Sequence, residues 1–125
     1  MYVETDFFLA IVKEDDWLAE AAESLYHEHA EELWTSPFTL VELLLVAYRE
    51  GLDAERVLAN AAELTEVQGD VEPVLAAASY VENHDFTPFD AVHLVESGTD
   101  TIATSDDAYA EFSSTVDLTD FLDVE

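Results

Sequence analysis

No cysteine occurs among the 125 residues, which excludes both a disulfide framework and a thiolate metal site. Glycine is scarce, with three residues, so a glycine-rich loop of the kind that cradles a nucleotide phosphate is excluded as well. Basic side chains are almost missing: Lys13, Arg49 and Arg56 stand against 30 acids, for a formal net charge of −27. The apolar run Phe7 to Val12 follows Glu4 and Asp6 and has no cationic segment before it. It is too short for a membrane span and lacks the flank of a signal peptide, so a cytoplasmic location is expected, with no membrane partner.

Hydrophobic residues nevertheless make up 50% of the chain, and the mean hydropathy is +0.04. A solvated acidic tail would not show such values, so the chain is expected to fold, as a single domain over residues 1–125. In ordinary buffer this much charge strains a compact state through self-repulsion. Near 1 M salt the screening length shrinks to about 3 Å, so a salt-rich, halophilic cytoplasm is the expected setting.

Short strands alternate with amphipathic helices, the pattern of an α/β fold with a parallel sheet. A strand at Tyr2 and Val3 leads to a helix from Asp6 to Val12, a polar turn from Lys13 to Asp16 and a helix from Trp17 to Glu32. Leu33 to Thr35 reads as the second strand. Ser36 and Pro37 then start a helix that reaches Glu50, with Gly51 as its stop. Asp53 opens a helix ending near Thr65, and Val67 to Gly69 offers a short strand. Helices follow at Glu72 to Asn83 and, after Thr87 and Pro88, at Phe89 to Glu96, which Gly98 ends. Thr101 to Ala103 reads as a buried strand before the acidic turn Ser105, Asp106, Asp107, and Val116 to Leu118 as the last strand.

Carboxylates stand where a strand or loop hands over to a helix at four places: Glu4 with Asp6, Glu42, Asp90, and Asp106 with Asp107. In an open α/β sheet the ligand crevice lies at the carboxyl ends of the strands. Each acid also has a purely structural reading. Thr39 to Glu42 and Thr87 to Asp90 both have the spacing of capping boxes, and Asp6 and Asp106 suit N-caps or first helical turns. As a set they are more telling, because their neighbours are apolar: Val3 and Phe7, Leu40 and Leu43, Phe89 and Val92, Ile102 and Ala103. Clustered carboxylates repel one another unless a cation compensates, and basic side chains are nearly absent. Oxygen donors without cysteine select hard Mg²⁺ or Mn²⁺, which suits phosphoryl chemistry.

The stretches Val3-Glu-Thr-Asp-Phe-Phe-Leu-Ala10, Ser36-Pro-Phe-Thr-Leu-Val-Glu42-Leu, Phe86-Thr-Pro-Phe-Asp90-Ala-Val-His-Leu94 and Ile102-Ala-Thr-Ser-Asp106-Asp107 resemble PIN-domain nucleases, in particular the VapC-like toxins of toxin-antitoxin pairs. Glu4 takes the place of that family's first Asp, with Asp6 two residues on; either is the direct ligand. The resemblance implies that Glu42, Asp90 and Asp106 match the remaining acids, that Thr104 matches the hydroxyl residue before the last acid, and that Asp107 supports the site. It further implies a three-layer α/β/α fold with about five parallel strands, Mg²⁺- or Mn²⁺-dependent RNA cleavage, a homodimer and a small antitoxin protein as partner.

His27 and His29 lie two apart on one helix, on different faces, so they cannot share a metal. His93, three after Asp90, reads as a core or supporting residue. Trp17, Leu18, Leu25 and Tyr26, and the run Leu40 to Tyr48, read as core. A phospho-accepting receiver and an aspartate-nucleophile phosphatase both need a cation late in the chain, where none follows Arg56. The other class left open is a non-catalytic PIN-like module for protein association.

Overall fold

The computed structural model describes residues 1–13 and 15–122. Glu14, in the polar turn expected at Lys13 to Asp16, lies outside the described residues, as do residues 123–125. Among the described residues six helices dominate: α1 (Thr5–Val12), α2 (Ala19–His29), α3 (Pro37–Glu50), α4 (Ala54–Leu64), α5 (Glu72–His84) and α6 (Pro88–Ser97). Among the same residues four short strands lie between and after them: β1 (Trp34–Thr35), β2 (Glu66–Val67), β3 (Ile102–Thr104) and β4 (Thr115–Asp117).

Helix ends follow local chemistry. Proline opens α3 and α6 at the first helical position, where its missing N–H costs nothing. Gly51 ends α3 in the left-handed region, at φ 69°, its N–H bonded to the Ala47 carbonyl. The Asp53 carboxylate caps α4 by accepting from the Arg56 N–H. The helix expected from Trp17 to Glu32 starts two residues later and ends in a 3₁₀ turn, Ala30–Glu32. The Asp16 carboxylate takes the Leu18 N–H and holds the chain in a turn there. Trp17 therefore lies off the helix and is 88% exposed, which corrects its assignment to the core. Leu18, Leu25 and Tyr26 do pack against that core.

The core is built on α3, whose Leu40, Leu43, Leu44 and Ala47 are buried against Phe8 of α1, Leu58 of α4 and Ala77 and Ala78 of α5. Burial of such side chains stabilises by about 1.5–3 kcal/mol each. α3 packs against α1, α4, α5 and α6, so it sets the spacing of every helix start discussed below.

The α/β class holds, with parallel pairing throughout, but a five-stranded sheet does not form among the described residues. β1 pairs with β2, Tyr2 bridges to Trp34, and β3 pairs with β4 as a separate ladder. Two causes keep the strands short. Pro37 ends β1 by removing a donor. Around β3, side chains take backbone donors that a wider ladder needs: Asp100 accepts from the Thr101 N–H, and Thr104 Oγ1 from the Asp106 N–H. The strand expected to be buried at Thr101 to Ala103 thus runs from Ile102 to Thr104 with Ala103 exposed. β4 likewise shifts by one residue from Val116 to Leu118, and β2, expected at Val67 to Gly69, starts one residue earlier and ends at Val67; Leu118 begins a 3₁₀ turn. Among the described residues no helix is long and apolar enough to cross a membrane.

Candidate active site

The α3 start is pinned to the N-terminal strand by one phenol. Tyr2 OH lies 3.0 Å from both Ser36 Oγ and Thr39 Oγ1, and these bonds, Ser36 first, hold its pKa below the usual tyrosine value. Thr39 sits in the third helical position rather than at the N-cap, which is Ser36. The capping box read at Thr39 to Glu42 is therefore not formed, and the Glu42 carboxylate is free of that duty. It accepts instead from Thr5 Oγ1 at 2.9 Å, which brings it to the first turn of α1. There Glu4 is the N-cap without a side-chain cap bond, and Asp6 is exposed in the first turn. Glu4, Asp6 and Glu42 thus flank one edge of the α1–α3 contact.

A second group forms where α6 meets the loop after β3. Thr87 is the α6 N-cap but makes no side-chain cap bond, so this capping box is not formed either. Asp90, half-buried in the first turn, accepts a hydrogen bond from Tyr109 OH at 3.0 Å. Tyr109 comes from the 3₁₀ turn Asp107–Tyr109 and is 5% exposed. Burial, then the bond to Asp90, then the charges of Asp90 and Asp106 push its pKa up to about 12, so the phenol is a donor throughout the neutral range. Asp106 N-caps the same turn: its Oδ1 accepts the Ala108 N–H at 2.9 Å, while its own N–H bonds to Thr104 Oγ1 at 3.0 Å. Thr104 therefore sets the Asp106 backbone, and Asp107 is exposed beside it.

Asp90 and Asp106 line one cleft of about 330 Å³, together with His84, Asp85, Glu111 and Phe112. Asp85 reaches it from the α5 C-terminus in the left-handed conformation, at φ 58°. No lysine or arginine lines this cleft. Lys13 pairs with Glu50, and Arg56 lines a larger cavity of about 670 Å³ beside Ile11, Tyr26 and Leu64. That cavity holds none of the candidate acids, so size does not mark the chemistry here. His93 is exposed and faces a third cavity with Thr104 and Tyr109, which overturns the core alternative of its reading and leaves the supporting one.

The structure therefore sets Glu42 beside the Glu4–Asp6 turn and Asp90 with Asp106. Among the described residues no hydrogen bond joins the two groups, and no group of three or more acidic, histidine or cysteine side chains is arranged to hold a metal ion. The donor chemistry of the second group still suits a hard divalent cation. Oδ1 of each aspartate is engaged, by Tyr109 and by Ala108, and among the described residues Oδ2 of each has no hydrogen-bond partner. Mg²⁺ is commonly held by one or two carboxylates, waters and substrate phosphate rather than by an all-protein cage.

Tyr109, Thr5 and Tyr2 hold this arrangement together, and none was singled out from sequence. For Tyr109 the available signal was a hydroxylated aromatic three residues after Asp106. No curated protein and no solved structure gives a significant match. The family model described as PIN domain matches residues 1–115, nearly the whole chain, and its members are in general nucleases. With that match, the chain belongs to the PIN domain family.

Proposed function

We propose that this chain is a Mg²⁺- or Mn²⁺-dependent endoribonuclease, a single PIN-like domain that acts as the toxin of a toxin-antitoxin pair. The observation that carries the reading is the Asp90–Asp106 cleft, where among the described residues two anchored carboxylates each keep one free oxygen and no basic side chain neutralises them. Asp90 Oδ2 and Asp106 Oδ2 are the proposed ion-holding atoms. An ion held there would lower the pKa of a water and shield the phosphate charge. Tyr109 and the Ala108 N–H fix the two carboxylates before RNA arrives, so little reorganisation remains for the reaction step. Glu4, Asp6 and Glu42 are the proposed remaining acids, and Thr5 keeps Glu42 facing α1. Thr104 and Asp107 support the Asp106 turn. A homodimer, a small antitoxin and a salt-rich cytoplasm complete the proposal, on the resemblance and the charge balance.

A second reading is a protein-association module that keeps the fold without catalysis. It is favoured by the lack, among the described residues, of a three-ligand cluster. Structured RNA incubated with Mn²⁺ at high KCl separates the two. Cleavage that disappears in Asp90→Asn and Asp106→Asn, with the fold intact, supports the nuclease. Wild-type protein that neither cuts RNA nor binds Mn²⁺ supports the association module.

A further inference from the structure

We propose that Phe112 is the stacking platform for an unpaired RNA base, so that the Asp90–Asp106 cleft takes single-stranded RNA by its bases rather than by its phosphates. The inference rests on the reading of that cleft as the place where RNA is met.

Phe112 is an apolar ring left 37% exposed on the wall of a cleft whose lining includes the acids Asp85, Asp90, Asp106 and Glu111. Its neighbours hold it in place. Its N–H bonds to the Tyr109 carbonyl at 3.0 Å, and its ring meets Phe86 at 5.4 Å, Tyr80 at 5.5 Å and His84 at 4.9 Å between centroids. The interplanar angles are 65°, 83° and 62°, so all three contacts are edge-type and none stacks parallel on the ring. Phe86 is buried in the core, which fixes the cluster's position. A preformed aromatic surface beside the two carboxylates is what a base next to the scissile phosphate requires.

Charge points the same way. Nucleic-acid binding usually draws on lysine and arginine and on counterion release, yet none of the three basic residues lines this cleft. Stacking on an aromatic face is independent of that release, works with any base and survives high salt. The carboxylates of Asp85 and Glu111, which also line the cleft, are acceptors that suit base N–H donors and repel a second phosphate.

The test is fluorescence anisotropy with the full-length protein in 2 M KCl, Ca²⁺ replacing Mg²⁺ to suppress cleavage. The probe is a labelled single-stranded RNA of about six nucleotides, within the usual span of such sites. A parallel set carries one abasic nucleotide at each position in turn. Phe112→Leu keeps apolar bulk but has no π-face; it is expected to weaken binding by about 5- to 100-fold, while Phe112→Trp restores it. At one abasic position the difference between wild type and Phe112→Leu should vanish. Equal binding by wild type and Phe112→Leu, an equal loss on every abasic probe, or no RNA binding by wild type overturns the proposal. A thermal midpoint close to wild type shows that Phe112→Leu folds. Cleavage that persists while Phe112→Leu binds normally removes the platform and keeps the nuclease; base-dependent binding without cleavage does the reverse.

Discussion

Replacing Tyr109 by phenylalanine removes the hydroxyl of a buried side chain and should produce a stability difference that changes sign with pH. Below pH 10 the phenol donates to the Asp90 carboxylate at 3.0 Å, and a hydrogen bond to a charged acceptor is worth about 1.5–3 kcal/mol. Asp90 is only half-buried, so the lower figure applies, and the variant should lose about 1.5 kcal/mol, or about 5 °C in midpoint for a chain of this size. The pKa of Tyr109 is raised from 10.0 to about 12 in the folded protein. A raised pKa means that the unfolded chain ionises first. The contribution is therefore complete below pH 10 and is lost as pH climbs towards 12. Two pH units correspond to about 3 kcal/mol, an order-of-magnitude figure, which exceeds the neutral-pH advantage. The two stability curves should cross near pH 11, with the phenylalanine variant the more stable above it. Guanidinium melts of both proteins at fixed KCl, from pH 8 to 12, measure this, and the other four tyrosines cancel in the difference. A gap that stays constant across the range would show that the Tyr109 hydroxyl is not held in a buried bond to Asp90.

Raising KCl from 0.1 to 2 M should increase the thermal midpoint, because screening falls from about 10 Å to below 3 Å around 30 acids; equal midpoints in calorimetry would remove the salt argument. Gly69→Ala places a Cβ 2.8 Å from Pro37 Cγ at φ 133°, so it should cost about 1–3 kcal/mol in a denaturant melt. Gly51→Ala meets nothing within 4 Å and should cost only the left-handed penalty, about 1 kcal/mol. Thr5→Val removes the donor to Glu42 at an exposed edge; cleavage should fall while the midpoint moves by no more than about 2 °C, and unchanged cleavage would detach Glu42 from the site.

Helices were the most legible part of the chain, since their ends are written in local chemistry. Ser36, Pro37 and Gly51 place α3 to the residue, and Asp53 opens α4 as its type suggests. Strand pairing was less legible. Two- and three-residue strands carry no usable alternation, and the donors captured by Asp100 and Thr104 are tertiary detail that periodicity does not encode. The candidate acids could be named one by one, but their surroundings could not. Thr39 and Glu42 have the spacing of a mutual cap, yet each is bonded to the N-terminal segment, through Tyr2 and Thr5. Trp17 shows the same limit from the other side: a stripe fixes which residues share a face only if the helix already includes them.

The two parallel ladders differ in how much chain they enclose. β1 and β2 are joined through α3 and α4, so parting them disturbs the core, and Thr35 between them is fully buried. β3 and β4 are linked through a single 3₁₀ turn, and every residue of β4 is exposed. In amide hydrogen exchange the second ladder should open first, by a local excursion that leaves the helices closed. Asp106, Tyr109 and Phe112 all lie on that connection, whereas Asp90 rides on α6. Half of the cleft is thus carried by a helix packed on the core and half by an exposed connection, so that opening of the second ladder is expected to set how often the two halves are in register.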